Sequence, residues 1–265
     1  MTRAVWLTDI HLNFLGFVQI NRFIRTVQAQ NPDVILISGD IGEARTVGWY
    51  LKTLEQKLQR PIYFVLGNHD FYMGAVQDVR AAVRKLSDES NRLCWLNEAE
   101  VVELAPGVGL VGHDSWADGR YGSYEASPMM LNDFVVIYDL AGMSKAERLK
   151  KLNELGDEAA NHFCRVLPEA FERCQQVVLL THVPPFIETC WHEGRMADDD
   201  SLPFFACKAV GDVLREIMSA RPNCQLTVLC GHTHGPCDVQ IAPNLHVLAG
   251  SAEYGKPVIQ QVFTF

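Results

Sequence analysis

The chain has no run of about 18 apolar residues, so nothing in it reads as a membrane span. No charged-then-apolar leader precedes the first hydrophobic segment, and no internal repeat or low-complexity tract stands out. These features point to a cytoplasmic protein. The eight cysteines are widely spread and form no CxxC pair, which reads as reduced thiols rather than a disulfide framework. Positive charge is scarce. Lys and Arg number 23 against 32 Asp and Glu, a formal net charge of -9, which argues against a long nucleic acid as the main partner. A small phosphorylated substrate stays compatible with that balance if bound metals supply local positive charge. At 265 residues and 48% hydrophobic content the chain can bury a substantial core. No linker interrupts it, so a single domain over 1–265 is expected.

What the chain does have is a repeated arrangement. Five short apolar runs each end in residues that bind metals. Val5-Trp6-Leu7-Thr8 leads into Asp9 and His11, and Val34-Ile35-Leu36-Ile37-Ser38 into Gly39-Asp40. Ile62-Tyr63-Phe64-Val65-Leu66 leads into Gly67-Asn68-His69-Asp70. Val177-Val178-Leu179-Leu180-Thr181 leads into His182, and Leu226-Thr227-Val228-Leu229-Cys230 into Gly231-His232-Thr233-His234. Apolar, β-branched runs without alternation are strands buried on both faces. In parallel sheets, ligands collect just beyond the carboxyl ends of such strands.

Helical periodicity separates the early runs. Ile20, Phe23, Ile24 and Val27 share one face of a helix over Gln19 to Gln30, and further helices are predicted over Arg45–Leu58 and Gly74–Leu86. Alternation of strand and helix predicts an α/β fold with a largely parallel sheet. Leu93–Leu96, Glu100–Leu104 and Gly109–Gly112 read as short strands. Ser144 with Glu147 forms a capping box for a helix over about Lys145–Leu167, with Pro168 expected to break or kink it. Cys207–Met218 reads as a helix, and the tail as short strands. Two long loop-like stretches, 114–133 and 183–205, are expected to rim one site.

Asp9, His11, Asp40, Asn68, His182, His232 and His234 form a mixed carboxylate, amide and imidazole set. That mixture suits Mn, Fe, Zn, Co or Ni better than Ca. An aspartate such as Asp40 can bridge with its two oxygens, so seven side chains fill four positions on each of two ions. Such a pair lowers the pKa of bound water and clamps an in-line displacement at phosphorus.

The order of these blocks resembles the calcineurin-like metallophosphoesterase superfamily, whose pattern is D-x-H, G-D-x-x-D, G-N-H-[DE], a lone His and G-H-x-H. The resemblance implies a four-layer α/β/β/α sandwich with a dinuclear metal centre. It implies that Asp9, His11 and His234 hold one metal, that Asn68, His182 and His232 hold the other, and that Asp40 bridges. It further implies that His69 is catalytic, contacting the phosphate or protonating the leaving oxygen, with Asp70 orienting it. One departure is Glu43, which stands where the superfamily has Asp and which separates the chain from the serine/threonine protein phosphatases. The implied activity is hydrolysis of small phosphate mono- or diesters by metal-activated water or hydroxide. A non-catalytic interaction scaffold of the same fold, or a nuclease on nucleic-acid ends, are the competing functions.

Two further side chains are candidates for substrate. Arg120 lies in the aromatic loop with Trp116, Tyr121 and Tyr124, and His113 ends a sixth apolar run, Val108–Val111. His192 sits in the second rim loop, whereas His162 and His246 read as packing residues.

Overall fold

The computed structural model describes residues 1–265. In its first half, β1 (Arg3–Leu7), α1 (Phe17–Gln28), β2 (Val34–Ser38), α2 (Val47–Leu58), β3 (Ile62–Val65), α3 (Val76–Asp88) and β4 (Leu93–Trp95) alternate, followed by β5 (Val102–Ala105) and β6 (Val108–His113). Then come α4 (Asp133–Val136), α5 (Lys145–Arg173), β7 (Gln176–Thr181), a small hairpin of β8 (Trp191–His192) and β9 (Arg195–Met196), α6 (Leu202–Phe205) and α7 (Lys208–Ser219). The chain closes with β10 (Gln225–Cys230), β11 (Cys237–Ala242), β12 (Leu245–Ala249) and β13 (Gln261–Thr264).

The strands form two main sheets, ordered β13-β1-β2-β3-β4 and β11-β12-β10-β7-β6-β5. The interior of each is parallel, with β1, β2, β3 and β4 paired in one direction and β6, β7, β10 and β12 in the other sheet. Antiparallel strands close three edges: β13, β11 and β5.

Side-chain alternation explains why both sheets are buried twice. In β2, Ile35 and Ile37 pack under the helices α1 to α3, while Val34 and Leu36 face the other sheet. In β7, Val177 and Leu179 pack against α5 and α7, while Val178 and Leu180 join Leu36, Val65 and Leu110 between the sheets. The layers are therefore α/β/β/α. A run such as Val-Ile-Leu-Ile carries no polar side because neither of its faces meets water.

The Ser144 capping box forms, with the Glu147 amide donating to Ser144 and the Glu147 carboxylate accepting from the Ser144 amide. The expected break at Pro168 does not occur, and α5 continues to Arg173. Phe163, Val166, Leu167 and Ala170 are buried against the second sheet on both sides of the proline. That packing outweighs the missing amide hydrogen bond. The stretch 183–205 is less irregular than its composition suggests, since it folds into the β8–β9 hairpin and α6. No helix is long and apolar enough to cross a membrane.

Candidate metal centre

The ends of β1, β2, β3, β7 and β10 meet at one place, and the backbone there is bent unusually hard. Asp9, His11, Asp40, His232 and His234 all have left-handed φ values, between 38° and 72°. For L-residues this costs about 1–2 kcal/mol each. Cross-loop hydrogen bonds hold it in place. The amides of Asp9 and His11 donate to the carbonyls of Gly39 and Asp40 at 3.0 and 2.9 Å, and the Gly231 amide donates to the His182 carbonyl at 2.9 Å. Gly39 has φ +96°, and a Cβ there would lie 2.5 Å from Nδ1 of His182. At Gly231 a Cβ would overlap the Asp9 carboxylate. Both glycines let one ligand loop lie directly against another.

Two groups of electron-pair donors result. In the first, Asp9, His11, Asp40 and His234 each present a ligand atom within 4.8 Å of the others. The Nε2 atoms of His11 and His234 are 3.3 Å apart, and Nε2 of His234 is 3.5 Å from Oδ1 of Asp9. In the second, Oδ1 of Asn68 lies 3.0 Å from both Nε2 of His182 and Nδ1 of His232. Asp40 stands between the groups. Its Oδ2 is 3.7 Å from Nε2 of His11, and its Oδ1 is 3.4 Å from Nε2 of His182.

The surroundings decide where the protons are. Nδ1 of His182 donates to the Ser38 carbonyl at 2.9 Å, and Nε2 of His232 donates to the Phe204 carbonyl at 2.8 Å. On neutral rings this leaves bare lone pairs on the two nitrogens that face Asn68. The Asn68 amide nitrogen donates away, to Oδ1 of Asp133 at 2.9 Å, so its oxygen points inward. Three acceptors thus converge with no proton among them, an arrangement that a cation stabilises and that is repulsive otherwise. Burial pushes His11 and His182 down to about 3, so both rings are neutral lone-pair donors at neutral pH. Burial raises Asp9, but His234 and the neighbouring imidazoles override it and hold the carboxyl below the usual range. Asp40 is raised by burial and by the charges of Asp9 and Asp70. The donor set and its outer hydrogen bonds fit divalent or transition ions, and these seven side chains could hold them.

Residues 2–236 match the family model for calcineurin-like phosphoesterases. The chain belongs to that family. The transmembrane protein with metallophosphoesterase domain from Bos taurus is 35% identical over 89 residues, 32% of this chain and 20% of that protein. Its Danio rerio counterpart is 35% identical over 81 residues, 28% of this chain and 18% of that one. These matches therefore span about a fifth of the relatives' length. Among solved structures, phosphopantetheinyl hydrolase from Mycobacterium tuberculosis superposes with a TM-score of 0.64 at 15% identity, covering 95% of this chain and 89% of that one. A dimetal phosphatase from Danio rerio gives 0.58 at 12% identity, covering 97% and 89%. Both share the fold.

In this member of the calcineurin-like phosphoesterase family His69 stands at the mouth of the centre. Its Nε2 is 4.0 Å from Oδ2 of Asp40, and its ring stacks on Tyr72 with centroids 4.2 Å apart. It lines a cleft of about 290 Å³ together with Asn68, Tyr72, Asp133, His192, His232, His234 and Tyr254. Asp70 lies apart from the His69 ring. Its carboxylate accepts the amides of Ile41, Gly42 and Gly67 at 2.9, 2.7 and 2.9 Å, which ties the β2 loop to the β3 loop. The orienting role expected of Asp70 is therefore corrected to fastening two ligand loops. Glu43 accepts from the Asn13 amide at 3.1 Å.

The two substrate candidates are also corrected. Arg120 is paired with Asp118 at 3.0 Å and Asp157 at 2.7 Å, and it does not line the cleft. His113 is buried against α5, 3.7 Å from Glu158 and with its ring centroid 5.0 Å from that of His162. Strand alternation turned its side chain away from the centre. The next residue carries the function of that sixth strand end. Asp114 accepts the Leu66 amide at 2.7 Å and the Trp95 indole at 3.0 Å, and its carbonyl accepts the His182 amide at 3.2 Å. Asp133, Tyr72 and Tyr254 were missed as well. Tyr72 stands two residues past the Gly67–Asp70 block, and that nearness was its only signal.

Acid stability follows from the buried imidazoles. Burial lowers His11, His162 and His182 to about 3, His69 to about 4, and also lowers His232. Unfolded, each takes a proton near pH 6.5. Asp40 and Asp70, raised by burial, work in the opposite sense by keeping protons in the folded chain. Five groups outweigh two, so between about pH 6.5 and 4 the unfolded chain binds more protons and stability falls as the pH falls. The urea midpoint of metal-free protein is expected to drop between about pH 7.5 and 5. A midpoint that holds or rises would contradict this reading of the buried rings.

Proposed function

We propose that this chain hydrolyses small phosphate mono- or diesters at a centre of two divalent metals. Asp9, His11 and His234 hold one ion, Asn68, His182 and His232 hold the other, and Asp40 serves both. The observation that carries the reading is Asp40, one carboxylate with an oxygen turned toward each ligand group. When bound, the metals supply Lewis acidity and a water acidic enough to attack phosphorus. Mn, Fe, Zn, Co and Ni all suit this donor set.

The chain's own contribution is placement and hydrogen bonding. Tyr72 stacks on His69, and the Tyr72 hydroxyl is anchored on Asp133 at 2.7 Å, so the imidazole plane is fixed over the cleft. Burial pushes His69 down to about 4, so near neutral pH the ring is uncharged. It acts as a fixed N–H donor to an oxygen of the phosphoryl group, stabilising charge that grows in the transition state. The Tyr254 ring lies close to His11 and His234 and covers the other side of the opening.

Hydrolysis of p-nitrophenyl phosphate and bis-p-nitrophenyl phosphate with added Mn²⁺ tests the reaction. Asp40→Asn should lower kcat by about 100-fold or more, since an amide cannot serve two cations with two anionic oxygens. Wild-type turnover in that variant would remove the bridging role. His69→Ala should cost about 100- to 1,000-fold on esters with good and poor leaving groups alike. A loss confined to poor leaving groups would instead show that His69 delivers the proton to the departing oxygen.

A further inference from the structure

The cleft in front of the metal ligands contains no lysine or arginine. It contains instead a buried carboxylate, Asp133, only 3% exposed, whose Oδ1 accepts from the Asn68 amide at 2.9 Å and the Tyr72 hydroxyl at 2.7 Å. The loop arginine Arg120 is paired with Asp118 and Asp157 and supplies no cation to the cleft. A second hollow of about 360 Å³ adjoins the cleft, the two sharing Met129, His192 and Phe205. Its single arginine, Arg195, stands among Glu193, Asp198 and Asp200, so this hollow is not cationic either.

Charge and space together select a substrate. Two divalent cations bring four positive charges. Asp9, Asp40 and the attacking hydroxide would remove three, which would leave one positive charge. Asp133 would remove the last, and a site with no surplus positive charge disfavours a phosphate monoester, a dianion above its second pKa of about 6, relative to a monoanionic phosphodiester. The two adjoining hollows offer separate room for two ester substituents, and a monoester has only one.

We infer that the substrate is a phosphodiester and that Asp133 sets this preference while holding Asn68 in its ligating orientation. The inference rests on the two-metal phosphoesterase reading above. In the reaction one P–O ester bond breaks, water supplies the oxygen of the new P–O bond and one proton to the leaving alcohol, and a phosphate monoester is released, its remaining acidic proton passing to solvent above about pH 6. Its dianionic charge disfavours retention beside Asp133, so the site does not go on to cleave it.

The test uses the full chain loaded with Mn²⁺ at about pH 8, where the two charge states are distinct. Binding of phenylphosphonate, a dianion, is compared with binding of its monomethyl ester, a monoanion. Turnover of p-nitrophenyl phosphate is compared with that of bis-p-nitrophenyl phosphate. Wild type should bind the monoanion at least about tenfold more tightly and turn over the diester preferentially. Asp133→Asn keeps an acceptor oxygen for Asn68 and Tyr72 but removes the charge, and should shift both ratios toward the dianion by about tenfold. A wild-type preference for the dianion, or ratios unchanged in Asp133→Asn, would overturn the inference while leaving a phosphoesterase. Cleavage of neither ester would overturn the phosphoesterase reading and this inference with it. The wild-type ratios alone decide the matter should Asp133→Asn not fold.

Discussion

Lone pairs from two imidazoles and an amide oxygen meet at about 3 Å around the Asn68 oxygen, with every available proton directed elsewhere. That concentration of acceptors is the constraint from which the rest of the architecture follows. A buried cluster of this kind opposes folding unless positive charge enters it. The carbonyls of Ser38 and Phe204 and the carboxylate of Asp133 take up the protons that could otherwise have relieved it. Each outer contact therefore raises the affinity of the centre for cations and lowers the stability of the chain without them.

The backbone shows the same compromise. Five ligand residues sit in left-handed conformations, and their strain is tolerated because the strands beneath them are fixed on both faces. Residues on β2 and β7 reach opposite sides of their sheets by simple alternation, so a shift of one residue would unmake two cores at once. This rigidity lets Asp70 and Asp114 fasten neighbouring loops with single carboxylates accepting several donors. The strain at the ligands and the depth of the sheets belong to one design, in which a stable scaffold holds an unfavourable site.

Much of this was legible in the sequence because strand and ligand are neighbours along the chain. An unalternating apolar run followed by Gly-Asp or Gly-Asn-His fixes both the burial of the strand and the position of the donor. The alternating α/β fold with its doubly buried strands and the convergence of these seven side chains at one place could be read for that reason, while the four-layer sandwich came from the resemblance of the blocks to a known family. Legibility failed where position depends on distant parts of the chain. Asp133 reaches the centre from a short helix in a long loop, and no local pattern distinguishes it from other loop acids. Arg120 looked free although Asp118 is two positions away, because its second partner, Asp157, lies 37 positions away on α5. His113 and Asp114 are adjacent in sequence, and only the pleat of β6 determines which of them faces the ligand loops. Pro168 failed as a helix breaker for a related reason, since packing against the second sheet overrides a local preference.

The central claim is that Asp40 lies between two cations held by the two ligand groups. Anomalous diffraction from crystals grown with Mn²⁺ measures this most directly. Two peaks about 3.5–4 Å apart, each within about 2.0–2.3 Å of one Asp40 oxygen, are the predicted result. A single peak, or two peaks of which only one touches Asp40, would contradict the account.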